Sequence, residues 1–253
     1  RGLMGKNNIR LDTTQQKEIY SRFRYLLDRY SAWQVWADFI TMSACSLSLS
    51  DREQREEEYV SIAKRYQPEE LQRICEMFAL TVDALEENPN QDFLGDLFMR
   101  FDLGNTWKGQ FFTPYCICRM MSSLTADDLK AQVEEKHWVH SHDPACGAGA
   151  TLIAFANECK DQGVNYQTSA LFVAQDIDRT AALMCYVQLS LLGCPGYVVV
   201  GDSICNPVTG PMLFPQCREG QEIWYTPMFF SDIWICRRQI EIMRSIFEKG
   251  EPA

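Results

Sequence analysis

Residues 138–149 read Trp138-Val139-His140-Ser141-His142-Asp143-Pro144-Ala145-Cys146-Gly147-Ala148-Gly149, and this stretch decides the fold. A short strand-like run from Trp138 to His142 ends in a carboxylate, Asp143. A turn carrying Gly147 and Gly149 follows, and Thr151 to Cys159 has the spacing of a helix. Glycine lets a backbone bend sharply and come close to a ligand, and a helix start just beyond favours anionic or polar groups. Downstream, Ala170-Leu171-Phe172-Val173-Ala174 and Tyr197-Val198-Val199-Val200 are apolar runs, separated by a helical stretch from Thr180 to Leu192 that stops at Gly193. Strands with so little alternation lie buried on both faces of a parallel sheet. The predicted class is therefore α/β, with a Rossmann-like parallel sheet. In such sheets ligands sit outside the carboxyl ends of the strands, so three loops are expected to surround one site.

The second loop is Gln175-Asp176-Ile177-Asp178. An acid at the end of a second strand can accept both hydrogen bonds of a ribose diol. Asp178 also reads as a helix N-cap. The third loop is Gly201-Asp202-Ser203, whose carboxylate can accept from an exocyclic amine. A glycine turn alone is weak evidence. Glycine turn, diol acid and amine acid on successive strand ends are a much more specific pattern.

Working outward, residues 11–100 read as helical. Phe23, Leu26, Leu27, Tyr30, Trp33, Trp36 and Ile40 form an apolar stripe that predicts one helix over Ser21–Ile40. Ser50-Asp51 with Glu53, and Pro68-Glu69-Glu70, look like two further helix starts. The expected division is a helical region over residues 1–95 and an α/β domain over 96–253.

Composition limits the partners. The 253 residues hold 24 Lys+Arg against 34 Asp+Glu, a formal charge of −10. A protein that grips DNA by its own phosphate contacts is usually basic, so a nucleic-acid role here needs a local basic patch or a second subunit. Arg237, Arg238 and Arg244 on the last helix-like stretch are the candidate patch, for DNA or for a protein partner; a solvated helix face is the plainer reading. No apolar run reaches the ~18 residues of a membrane span, and no secretory signal follows Arg1-Gly2-Leu3-Met4. Eleven scattered cysteines without zinc-ligand spacing read as reduced thiols in a cytoplasmic protein. His137, His140 and His142 lie close together, but polar strand positions explain them better than a metal does.

The stretch Gln91–Asn206 resembles the S-adenosylmethionine-binding part of adenine-N6 DNA methyltransferases, in particular the modification subunit of type I restriction-modification systems. The residues carrying the likeness are Gly109-Gln110-Phe111-Phe112-Thr113-Pro114, then Asp143 to Gly149, then Ala174 to Asp178, then Gly201-Asp202-Ser203, with Asp92 to Leu97 leading in. The resemblance implies S-adenosyl-L-methionine as cofactor. Phe112, Thr113 and Pro114 would cradle its methionine end. Asp143, Pro144, Cys146, Gly147 and Gly149 would form the turn beside its amino-acid part. Asp176 would hold the ribose, Ile177 would pack on the adenine, and Asp202 would meet the adenine amine. It also implies double-stranded DNA reached through a recognition subunit. Methyl transfer is an in-line displacement, so alignment of acceptor and methyl group is the enzyme's main work.

The likeness departs at the acceptor. The family carries Asn-Pro-Pro followed by an aromatic after its fourth strand, where the flipped adenine is held. The best positional match is Thr226-Pro227-Met228-Phe229, after the strand-like Glu222–Tyr225. Asn206-Pro207-Val208 is the weaker match. A Thr hydroxyl cannot reproduce an amide's two-sided hold. The expected catalytic residues are thus Thr226, Pro227 and Phe229, with impaired or lost transfer. The alternatives are a non-catalytic cofactor- or partner-binding relative from a restriction-modification or mobile-element setting, and a different acceptor held by Trp224, Tyr225 and Phe229.

Overall fold

The computed structural model describes residues 9–103 and 112–249; Gly109, Gln110 and Phe111 of the first motif lie outside the described residues. Helices come first: α1 (Thr14–Leu26), α2 (Ala32–Leu47), α3 (Arg52–Ala63), α4 (Pro68–Glu87) and α5 (Phe93–Arg100). Local chemistry sets their starts. Thr13 and Gln16 form a reciprocal capping box on α1. Pro68 opens α4, where it forfeits no helical hydrogen bond, while the Glu70 carboxylate accepts from the Gln67 N–H at 2.8 Å. The single helix expected over Ser21–Ile40 is two. α1 ends at Leu26, and the Ser31 hydroxyl caps α2 by accepting from the Gln34 N–H at 3.2 Å. The apolar stripe ran through the corner because both helices bury their sides in the same core.

The second half holds α6 (Tyr115–Thr125), α7 (Leu129–Lys136), β1 (Val139–Asp143), α8 (Ala150–Asp161), α9 (Tyr166–Ser169), β2 (Ala170–Asp176), α10 (Arg179–Leu191), β3 (Gly196–Val200), β4 (Glu222–Tyr225), a 3-10 turn (Pro227–Phe230) and α11 (Asp232–Lys249). The sheet order is β1-β2-β3-β4. β1, β2 and β3 are parallel, with Asp143 beside Ala174 and Asp176 beside Val200. The three strands expected to be parallel are so, and β4, whose direction the sequence left open, departs from them. It runs antiparallel to β3, placing Glu222 beside Val200 and Tyr225 beside Tyr197. A parallel return needs a crossover, usually a helix. Residues 201–221 form turns and one isolated bridge, Thr209 to Gln216, so the chain doubles straight back.

Both faces of β2 and β3 are buried. Phe172, Ala174 and Val198 join a core that continues through Met184 and Leu183 to Phe98, Trp36 and Phe39. Leu171, Val173, Tyr197 and Val199 pack on the other face against Leu213, Phe229 and Trp234. The division expected at residue 95 falls inside α5, and the helical region and the sheet share one continuous core. No described helix is long and apolar enough to cross a membrane.

An ionic knot ties the helices to the sheet. The guanidinium of Arg55, 4% exposed, lies 3.5 Å from the centre of the Trp224 ring and pairs with Glu222. Arg179 joins Glu222 at 2.8 Å and Glu58 at 2.9 Å. Burial pulls the Glu222 pKa up, but the hydrogen bonds and charges of Arg179 and Arg55 win and lower it. Arg55→Ala should cost about 2 kcal/mol in urea unfolding near neutral pH, because it removes a buried guanidinium stacked on Trp224 and one of the two cationic partners of Glu222. Since the folded carboxyl titrates below its unfolded value, the difference should shrink as pH falls through the acidic range where Glu222 protonates.

Candidate cofactor-binding site

The three loops meet at the carboxyl ends of β1, β2 and β3. The Gly147 N–H donates to Oδ2 of Asp176 at 2.8 Å, and the Asp178 N–H donates to Oδ1 at 2.8 Å. The Cys146 N–H reaches the Gln175 carbonyl at 3.0 Å, and the Gly201 N–H reaches the Asp176 carbonyl at 2.9 Å. Adjacent strand ends are thus laced by main-chain bonds. Each Asp176 oxygen keeps accepting capacity beyond its one N–H, enough for a diol. Burial raises the Asp176 pKa, against the lowering effect of the Asp178 and Gly147 N–H bonds.

Asp143 organises its own turn. Its Oδ1 accepts from the Ala145 N–H at 3.0 Å, and its Oδ2 accepts from the Thr151 hydroxyl on α8. Pro144 is exposed beside it. Gly147 has φ +53, and a Cβ there would stand 2.9 Å from Cδ1 of Phe112. The Phe112 ring, packed 5.2 Å from that of Phe98, therefore closes directly on the glycine turn. Thr113 and Pro114 follow as exposed residues leading into α6. Ile177 is 72% exposed next to the diol acid, an apolar surface without protein cover. Asp202 stands at the next strand end, its Oδ1 accepting from Ile204 N–H at 2.8 Å and Cys205 N–H at 2.9 Å, which lowers its pKa. Asp178 caps α10 by accepting from Ala181 N–H at 3.0 Å. Asp176, the exposed Ile177 and Asp202 thus offer two carboxylates and an apolar surface on adjacent strand ends, beside the glycine turn on which Phe112 closes.

Cys146 is buried, and the neighbouring Cys185 thiol together with desolvation keeps its pKa well above the ordinary value. A thiol so held is packing material, not a nucleophile. A cavity of about 490 Å³ is walled by Phe112, Thr113, Pro114, Asp92, Asp96 and Arg100, but its lining includes none of Asp143, Asp176 and Asp202. Phe112 borders both that cavity and the glycine turn.

The acceptor residues expected from the sequence are elsewhere. Because β4 runs backwards, its end lies beside Gly196, at the amino ends of the parallel strands. The Thr226 hydroxyl is fully buried, donates to the Cys194 carbonyl at 2.7 Å and accepts from the Gly196 N–H at 3.0 Å. Pro227 starts the 3-10 turn, and Phe229 stacks on Tyr225 at 5.0 Å inside the second core. Trp224 is likewise fully buried, so these rings line no acceptor pocket. Thr226, Pro227 and Phe229 fasten the sheet edge on the side opposite the carboxylates. Asn206 does lie on the site side; its amide donates to the Glu219 carbonyl at 3.3 Å. His140 and His142 are exposed on β1, and no group of three or more metal-ligating side chains occurs among the described residues.

Two residues were missed. Gln175, 1% exposed, reaches the Gly201 and Asn206 carbonyls at 3.3 and 3.1 Å and accepts from Val208 N–H at 3.1 Å, holding the third loop. Gln188, fully buried, bonds the Ala148 carbonyl at 2.9 Å and Asp92 at 2.7 Å, joining the glycine turn to α5. The available signal was an amide in an otherwise apolar strand or helix, since such a group must find partners when buried.

The turn makes a stability prediction. Gly149 has φ +97, and a Cβ there would meet Sγ of Cys185 at 2.8 Å, whereas at Gly163, φ +75, nothing lies within 4 Å. Gly163→Ala should cost about 1 kcal/mol in urea unfolding from backbone strain alone. Gly149→Ala should cost about 3 kcal/mol, strain and collision together.

Comparison with curated proteins finds no match. Among solved structures, a Listeria monocytogenes chain described as a class I S-adenosylmethionine-dependent methyltransferase is 15% identical; the alignment covers 88% of this chain and 69% of that one, with a TM-score of 0.42. The decisive finding is the N-6 DNA methylase family, which matches residues 91–223, just over half of the chain and the whole span from the lead-in of the first motif to the start of β4. The chain belongs to the N-6 DNA methylase family.

Proposed function

We propose that this protein binds S-adenosyl-L-methionine at the carboxyl ends of β1–β3 and is impaired in transferring its methyl group to DNA adenine. The observation that supports the reading best is the Gly147–Asp176 hydrogen bond, which pins the glycine turn beside a carboxylate placed for a ribose diol. Asp176 takes the two ribose hydroxyls, Ile177 offers the adenine an apolar shelf, and Asp202 accepts from its amine. Phe112, Thr113 and Pro114 meet the methionine end, next to the turn of Asp143, Pro144, Cys146, Gly147 and Gly149. When bound, the cofactor supplies an electrophilic methyl on a sulfonium. What the chain's own residues supply is position and exclusion of water around that group.

The acceptor side supports impairment. Thr226, Pro227 and Phe229 are committed to packing at the far end of the sheet, so they cannot orient an adenine at the sulfonium. Double-stranded DNA would be reached through a recognition subunit, since the body is acidic. A cytoplasmic setting alongside a restriction-modification system fits the unpaired state of all eleven cysteines. The same placement also favours the second reading, a relative that keeps the cofactor and contacts a protein partner without catalysis.

Calorimetry with S-adenosylmethionine separates these ideas from a misread site. Wild type should bind, and Asp176→Ala should weaken binding by ~1–3 kcal/mol. Thr226→Ala should leave affinity unchanged although it lowers stability. No heat and no ligand-induced stabilisation in wild type would end the proposal. Because the diol needs an ionised acceptor and burial raises the Asp176 pKa, affinity should fall with pH at a higher pH than an ordinary carboxylate would give, a trend that Asp176→Asn should flatten. Labelled methyl transfer to unmethylated DNA, with and without a recognition subunit, then tests catalysis. Rapid transfer by this chain alone would contradict the impaired reading.

A further inference from the structure

α5 begins on a carboxylate that is only half used. Asp92 caps the helix and is 6% exposed. Its Oδ1 accepts from the Gly95 N–H at 3.0 Å and from the Gln188 amide at 2.7 Å. Its Oδ2 has no hydrogen-bond partner among the described residues, and no cation among them pairs with it. A cap needs one oxygen, and a buried carboxylate without a counter-charge is costly. Desolvation raises the Asp92 pKa, the Gln188 and Gly95 hydrogen bonds oppose this, and the Asp96 charge adds to it.

Room is kept for the unused oxygen. Gly95 lies in the first turn of α5, and a Cβ there would collide with Oδ2 of Asp92. Both residues line the cavity of about 490 Å³ beside Phe112. The rest of the lining offers no counter-charge. It carries the carboxylates Asp12 and Asp96 and one guanidinium, Arg100. Arg100 is spent, donating to Asp96 and Asp12 at 2.7 Å each and to the Arg10 carbonyl. Gln91 gives its amide hydrogens to the Ala84 and Asn88 carbonyls at 2.9 and 2.8 Å, so its oxygen is what it has left to offer. The free polar atoms are therefore acceptors, and the uncompensated charge is negative. An anion would be repelled, and no group of three metal-ligating side chains occurs among the described residues. A primary ammonium brings three N–H donors and the missing charge.

We propose that this cavity takes a primary ammonium group on a short aliphatic chain, with Oδ2 of Asp92 as its anchor and Asp96 beside it. Two sources carry that chemistry: the amino-acid end of S-adenosylmethionine and a free alkyl diamine. The first rests on the cofactor reading and fits the place, because Gln188 ties Asp92 to the Ala148 carbonyl of the glycine turn. The second does not rest on it.

Calorimetry on the full chain separates them with three probes: S-adenosylhomocysteine, 5′-methylthioadenosine, which lacks the amino-acid end, and putrescine. Asp92→Asn keeps an oxygen for the Gly95 cap and replaces the unpartnered acceptor with a donor. For a cofactor ammonium, this variant should bind S-adenosylhomocysteine about tenfold more weakly and methylthioadenosine unchanged. For a free amine, putrescine should bind wild type and lose about tenfold in the variant, with both nucleosides untouched. Asp12→Asn removes the same charge from a carboxylate already engaged by Arg10 and Arg100, and should change affinities by no more than about twofold. In wild type the Gly95 amide resonance reads the carboxylate without any substitution. It should shift with the ammonium ligand that binds and not with methylthioadenosine. Equal effects of Asp92→Asn and Asp12→Asn would overturn the proposal, as would a weakening or shift that methylthioadenosine shares. So would failure of both S-adenosylhomocysteine and putrescine to bind. Binding of putrescine but of neither nucleoside would sink the cofactor reading alone and leave this site standing.

Discussion

One short hydrogen bond organises the site: the Gly147 N–H to the Asp176 carboxylate at 2.8 Å. It requires a residue at φ +53 with no side chain between it and Phe112, which is why a glycine stands there. It also requires β1 and β2 to be parallel neighbours in the register that puts Asp143 beside Ala174. Everything that sets this register, from the apolar residues of β2 to the helices packed on it, serves that bond. Gln188 adds a second tie, from the same turn to Asp92 and α5, so the glycine turn is held by both halves of the chain.

The fourth strand decides how far the family likeness extends. Residues 201–221 contain no helix that could carry the chain across the sheet, and β4 returns antiparallel on β3. That reversal sends Glu222 to the site end and Thr226 to the opposite end. Glu222 then becomes the acceptor of Arg55 and Arg179, locking α3 and α10 to the sheet. A segment that reads as an acceptor motif is thereby turned into an edge fastening.

Much of the fold was legible because its signals are local. The runs Ala170–Ala174 and Tyr197–Val200 are too apolar to sit anywhere but a sheet buried on both faces, and Asp143, Asp176 and Asp202 mark the strand ends. The direction of β4 was not legible, because Glu222–Tyr225 has the same composition whichever way it runs; direction depends on the connection before it. The corner at Ser31 was hidden because apolar periodicity continued across it. Gln175 and Gln188 were missed for a related reason: an isolated amide looks like a surface residue until its partners, distant in sequence, are known.

Hydrogen exchange with and without saturating S-adenosylmethionine tests the central claim most directly, because it reads each loop separately. The account predicts slowed exchange at the amides of 143–149, 175–178 and 201–206, with 226–230 unaffected. Protection confined to 226–230, or none at the three strand ends, would contradict it.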